Sequence, residues 1–253
     1  MGVIADFLGM VLKGIFEFTH SYGLSVIIFT VIVKLILTPL TVKQTKSTFA
    51  MSEINPKIKE IQEKYKNKPE KQNEEISKLY KESEINPLAG CLPLLIQMPI
   101  LFGLFYVFKD PVAHGVFADK AAFLAANQNF LWIKSLIKPD YVLAVFSGVS
   151  AFFMQKVMTP KDQLQGSMKI MTWVMAGMSF YWGFIFPAAL TLYWTVSNLF
   201  SILQFYIITK PLRTKLQVEK DKKAGSQTVK KDKKASSQKE SSQSTKKDKK
   251  KQK

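Results

Sequence analysis

Lys34 stands in the middle of the apolar stretch FTVIVKLILTP, residues 29–39. A cation at the centre of a membrane helix costs about 2.5–3.5 kcal/mol on insertion scales, so its presence needs a reason. Its helical neighbours are polar. Thr30, Lys34, Thr38 and Thr41 follow at intervals of four, four and three and form one stripe. Thr191, Thr195, Asn198 and Ser201 (or Ile202), with Trp194 beside them, form a second stripe in the last apolar segment. Weaker lines are Ser147 with Gln155, Thr172 with Ser179, and Gln97 between Pro93 and Pro99. No Asp or Glu occurs in these apolar segments, so Lys34 lacks an acidic partner there and needs water. A hydrated cavity that binds an anionic group transiently is the chemistry these residues suit. Catalysis is not: there is no nucleophile–base pair, Gly-rich phosphate loop or metal cluster. The single cysteine, Cys91, and the distant His20 and His114 add none. The expectation is a protein that is not an enzyme and uses no metal or cofactor. Two simpler readings compete. Helix packing accounts for small hydroxyls alone, and Lys34 could snorkel toward Leu40, ~9 Å away at helical rise.

The elements that position these residues follow from the segregation of apolar and charged residues. Apolar residues make up 47% of 253, yet the net charge is +17, with the lysines between and after the apolar blocks. That layout predicts an all-α membrane protein. Five spans are predicted, at 23–42, 87–108, 141–157, 170–186 and 188–209, most near the lower limit of about 17 residues. Residues 43–86, the short 158–169 loop and the 210–253 tail carry the positive excess; the tail alone has seventeen Lys/Arg against five acids. Residues 1–22 and 109–140 are close to neutral. The positive segments therefore lie in the cytoplasm, with the N-terminus and the 109–140 loop outside.

Residues 1–22 read as an amphipathic helix lying in the outer interface, a signal peptide being the alternative. Residues 43–86 read as a cytoplasmic two-helix hairpin. Ile54, Ile58, Ile61 and Tyr65 form one apolar stripe, Ile76, Leu79 and Tyr80 a second, and KNKPE breaks between them, with Pro69 suited to a first helical turn. Glu53–Lys57, Glu60–Lys64 and Glu74–Lys78 are pairs in the favourable order. A solvated linker is the plainer reading of the same hairpin. From Val218 onward the composition predicts disorder. Its charge suits anionic lipids or a nucleic-acid backbone without sequence preference.

Four stretches then carry a resemblance: KLILTPLTVKQTKS (34–47), NPLAGCLPLLIQMPILFGLF (86–105), FFMQKVM (152–158) and LYWTVSNLFSILQ (192–204). In this order they are similar to the YidC/Oxa/Alb family of membrane-protein insertases, over residues 1 to about 215. Without a large outer domain or a lipoprotein signal, the chain resembles the compact Gram-positive form. The resemblance implies five transmembrane helices around a hydrophilic groove, open to cytoplasm and lipid and closed outside, in the bacterial cytoplasmic membrane. It implies insertion of nascent membrane proteins, alone or beside the Sec translocon, with the ribosome met through the basic tail. The family's positive groove residue, usually arginine, maps onto Lys34, which keeps the charge but not the planar fork. Gln155 (or the adjacent Met154) and Trp194 map onto further groove positions. The expected groove set is Lys34, Thr30, Thr38, Gln97, Gln155, Trp194, Thr195 and Asn198, with a substrate helix sliding past apolar faces of the third and last spans. A small-solute transporter and a non-inserting assembly chaperone are the alternatives. The transporter predicts inverted repeats, and the sequence has none.

Overall fold

The computed structural model describes residues 2–86, 92–126, 129–159 and 167–222; the side chains of 92–94, 167–169 and 171–172 are not among those described. Cys91, the side chain of Thr172 and the tail beyond residue 222 lie outside the described residues. The described chain is all-helical apart from one isolated bridge, Phe130 to Ile133. In order the helices are α1 (Gly2–Thr19), α2 (Tyr22–Ile36), α3 (Thr38–Lys64), α4 (Pro69–Glu82), α5 (Leu92–Lys109), α6 (Lys120–Ala126), α7 (Tyr141–Met158), α8 (Ser167–Gly183) and α9 (Ala188–Gln204), which runs into a π-helical turn, Phe205–Thr209. The described residues up to Thr209 form one compact unit, and 210–222 belong to a second.

The expected first span is not one rod. Pro39 offers no N–H to the carbonyl four residues back and crowds it, and the helix breaks at Leu37. α2 and α3 meet there at 52°. α3 thus begins within the segment expected to be membranous and continues as the first arm of the hairpin. The second arm, α4, starts at Pro69 as expected and packs on α3, where Ile54 and Ile58 are buried. On its exposed side Lys78 pairs with Glu74 at 2.8 Å. That pair holds the Glu74 carboxyl below its usual range, first through the hydrogen bond and then through Lys78's charge.

Beside an apolar core, the unit buries many polar side chains and exposes many large apolar ones. Ser147, Ser150, Ser179, Thr191, Thr195 and Asn198 are buried, while Phe146, Val149, Phe153, Trp173, Phe180 and Leu203 are exposed. An apolar exterior over a hydroxyl-rich interior suits a lipid solvent. By length and apolar composition α7 alone among single described helices is sufficient to cross a membrane, and α2 with α3 qualifies as a bent pair.

One end of the unit is sealed by a dense apolar core. Tyr22 packs edge-to-face on Phe108, Phe117 and Phe123, with Leu12, Ile133, Leu136 and Leu190 around them. Loop carbonyls close the start of α9: the amides of Ala188 and Ala189 donate to Lys138 O (3.0 Å) and Leu136 O (2.8 Å). These would otherwise be orphan first-turn donors. The 109–140 segment, expected as a plain loop, carries α6 and this seal. Helix α1 is more than an interfacial helix. Ala5, Leu8 and Leu12 are buried against the unit, Gly9 lies against the carbonyl of His114, and Asp6 Oδ1 meets His114 Nδ1 at 2.8 Å. Its other face exposes Val3, Phe7, Met10 and Phe18.

Residues 210–222 are helical, with Gln217 donating to Asp221 at 3.0 Å. Disorder expected from Val218 therefore does not extend to 218–222. Leu, Lys, Gln and Glu are good helix formers, and the four-residue spacing supplies a side-chain bond.

Candidate functional site

A cavity with several polar residues in its lining lies toward the α2–α3 break. It has a volume of about 180 Å³ and is lined by Lys34 of α2, Gln97 and Leu101 of α5, Met154 of α7, and Tyr193, Trp194, Ser197, Asn198 and Ser201 of α9. Lys34 Nζ donates to Ser201 Oγ at 3.1 Å, and Ser201 Oγ donates to Ser197 O at 2.8 Å. No acidic side chain lies within ion-pair distance of Lys34 among the described residues. An ammonium has three donors, so one hydroxyl leaves it able to bind an entering anion. The Lys34 head group is half-buried and bonded to α9.

Several other polar groups are hydrogen-bonded within the unit. Gln97 Nε2 donates to Tyr193 Oη at 2.7 Å. Asn198 Nδ2 donates to Ser150 Oγ at 3.1 Å, and Ser147 meets Ser179 at 3.0 Å, so α7, α8 and α9 are joined by buried polar contacts. Below Lys34, Gln204 Nε2 donates to Thr38 Oγ1 at 3.0 Å, and Thr38 donates to Lys34 O at 2.9 Å. Ser201 and Gln204, three apart on α9, therefore grip Lys34 and Thr38, four apart across the helix break.

Of the expected groove set, Lys34, Gln97, Trp194 and Asn198 come together in this cavity. Gln155 does not line it; Met154, one helical step of about 100° away, does. Thr30 and Thr195 are buried and donate to Val26 O (2.6 Å) and Thr191 O (2.8 Å), so their hydroxyls close on their own helices. Thr38 sits beneath the cavity in the ladder to Gln204 rather than in its lining. Tyr193, Ser197 and Gln204 were missed from the sequence. Gln204 was findable, being the next polar position after Ser201 on the same helical face.

A second, apolar cavity of about 520 Å³ adjoins the first and shares Gln97, Leu101 and Trp194 with it. Its walls are α5, with Met98, Phe102, Phe105 and Tyr106, and α8, with Met175, Met178 and Trp182. α7 and α9 pack on each other through Asn198 and Ser150, with Phe146, Val149, Phe153, Leu199 and Leu203 exposed on their outer faces.

An all-helical bundle, apolar outside and hydroxyl-lined inside around a lysine, has the architecture of the helical membrane-protein insertases. Its relatives narrow that class. A family model described as 60Kd inner membrane protein matches residues 14–215. Membrane protein insertase YidC of Clostridium perfringens is 41% identical over 204 residues, covering 77% of this chain and 81% of that one. The protein of the same name from Oceanobacillus iheyensis is 39% identical over 210 residues, covering 78% of each. The fold is similar to that of a crystal structure of an active YidC insertase, with a TM-score of 0.62 and 27% identity, over 81% of this chain and 46% of that one. The chain belongs to the 60Kd inner membrane protein family, the YidC/Oxa/Alb insertases.

Proposed function

We propose that this chain inserts nascent membrane proteins into the bacterial inner membrane, using the two adjoining cavities as one amphipathic site. The observation that carries this reading is their shared wall at Gln97, Leu101 and Trp194. A polar pocket with a free-donor cation next to a Met- and aromatic-lined gap fits a substrate with a hydrophilic segment joined to an apolar helix. Met side chains adapt to varied apolar partners, as an acceptor of many sequences requires.

In this account α2, α5, α7, α8 and α9 cross the bilayer, with the hairpin and the basic tail in the cytoplasm. The hydrophilic segment enters from the α2–α3 side and its carboxylates meet Lys34. The sealed core of Tyr22, Phe108 and Phe117 keeps the pocket from being an open pore. The apolar helix moves between α5 and α8 into lipid, and its burial, at about 25 cal/mol per Å², drives the step. The hairpin receives substrate, the tail meets ribosome and anionic lipid, and the Sec translocon is an optional partner.

The test is charge reversal. At ~5 Å and an effective dielectric of about 20, Lys34 and a carboxylate attract by roughly 3 kcal/mol. Lys34→Glu turns that into repulsion and is expected to slow insertion of an acidic-tailed substrate by about tenfold or more, while Lys34→Arg retains activity. Wild-type insertion rates with Lys34→Glu would remove the electrostatic role.

A further inference from the structure

The loop before α7 holds two large apolar side chains out of the protein. Phe130 and Ile133 exchange both backbone bonds at 2.9 Å, closing a tight turn whose centre is Leu131 and Trp132. The flanks of the turn are nailed down: Ile133 is 1% exposed, and the Phe130 ring fills the space where Gly23 has no side chain. The tip is the reverse. Leu131 is 71% exposed and Trp132 47%. Leu131 also has φ +55°, a left-handed conformation that non-glycine residues seldom hold. A glycine or asparagine is the ordinary solution for such a turn. Leucine there, pointing outward, contributes nothing to the core it is anchored in.

The tip is continuous with the exposed face of α7. The Trp132 ring lies 5.7 Å from the ring of Phe146, which belongs to the exposed row Val142, Phe146, Val149 and Phe153. Phe146 is five residues into α7, about 7.5 Å below its first residue at helical rise. The indole is therefore not above the helix end but alongside its first turn and a half. Its polar edge points back to the helix start. Trp132 Nε1 donates to Asp140 Oδ1 at 3.3 Å, the same oxygen that caps Leu143 N at 2.7 Å. A ring against apolar side chains and an N–H turned to a polar cap is the orientation of tryptophan at a membrane–water boundary.

We propose that the Leu131–Trp132 tip is inserted in the interfacial layer of the non-cytoplasmic leaflet and fixes the depth at which α7 sits. This rests on reading α7 as a membrane span, which is the proposed topology. The occupant is the lipid interface rather than another protein, because the tip extends a face whose neighbours on α7 form one unbroken apolar row.

Depth-dependent quenching tests it. In a Cys91→Ser background, Leu131→Cys carries a fluorophore in full-length protein reconstituted in phosphatidylcholine–phosphatidylglycerol vesicles, and Val149→Cys is labelled in parallel. The label at 131 is expected to be quenched about threefold more by lipids spin-labelled near the head group than by lipids labelled deep in the chain, the pattern of an interfacial site. Adding Trp132→Asp is expected to halve that quenching and expose the label to iodide. Should Leu131→Cys not fold, Lys134→Cys, just beyond the turn, reads the same tip. Full iodide access with no lipid quenching overturns the proposal, as does protection from both, which would mean that protein covers the tip. Loss of deep-label quenching at Val149 overturns the span reading of α7 and the anchor with it. Quenching at Val149 without quenching at 131 overturns the anchor alone.

Discussion

The ladder between α9 and the α2–α3 break predicts that Gln204, which does not line the cavity, controls how Lys34 is presented. Gln204→Leu removes the donor to Thr38 Oγ1 (3.0 Å), and Thr38→Val removes that acceptor together with the bond to Lys34 O (2.9 Å). Interhelical hydrogen bonds in membranes average about 0.6 kcal/mol and reach about 1.7. Gln204 is buried, so Thr38→Val strands its amide and lies toward the upper end. Each single variant is therefore expected to cost about 1 kcal/mol, and the double variant clearly less than the sum, with a coupling of about 0.6 kcal/mol. Reversible unfolding in mixed micelles measures this cycle. The functional readout is selective. A loss of 1 kcal/mol in positioning corresponds to about fivefold, so insertion of acidic-tailed substrates should fall roughly fivefold while neutral-tailed ones stay within about twofold. Thr38→Ser, which keeps the hydroxyl, should restore the preference that Thr38→Val loses. Strict additivity of the two costs, or an equal fall for both substrates, would refute the reasoning.

Other expectations follow from single contacts. The Tyr22 hydroxyl is buried with no hydrogen-bond partner among the described residues, so Tyr22→Phe should leave the melting temperature unchanged or raised, measured by thermal denaturation in detergent. Gly9 sits against the His114 carbonyl, where any Cβ would collide; Gly9→Val should detach α1 and lower stability by about 2 kcal/mol or more, visible as protease sensitivity of residues 1–20. Lys78 and Glu74 are both more than half exposed, so Lys78→Met should leave stability and insertion within error in 0.5 M salt, the concentration being about that at which surface pairs are screened.

The sequence made the helical class legible, and it singled out Lys34, which the structure places in the cavity lining, because an uncompensated cation in an apolar run has few explanations. It also located the helices that line the cavity. It did less well on faces. Gln155 and Met154 are adjacent and differ by about 100° around α7, and only packing against α9 decides which turns inward. Thr30 and Thr195 have the spacing of a polar stripe, yet a hydroxyl on a membrane helix can satisfy itself on its own backbone, as both do. The break at Leu37 was written in Pro39 but was hidden by the apolar run that continues through it. Asp6 and His114 are separated by 108 residues, so no local pattern announces their contact. The apolar cavity between α5 and α8 was likewise out of reach, because it is set by the packing of helices distant in sequence.

The most direct test of the account is reconstitution. The purified chain, in liposomes without translocon or ribosome, is given a small single-span protein with an acidic N-terminal segment. The account predicts that the segment crosses and becomes protected from external protease, and that the vesicles stay tight to small solutes. Unprotected substrate alongside solute flux through the same vesicles would contradict it and favour a transporter.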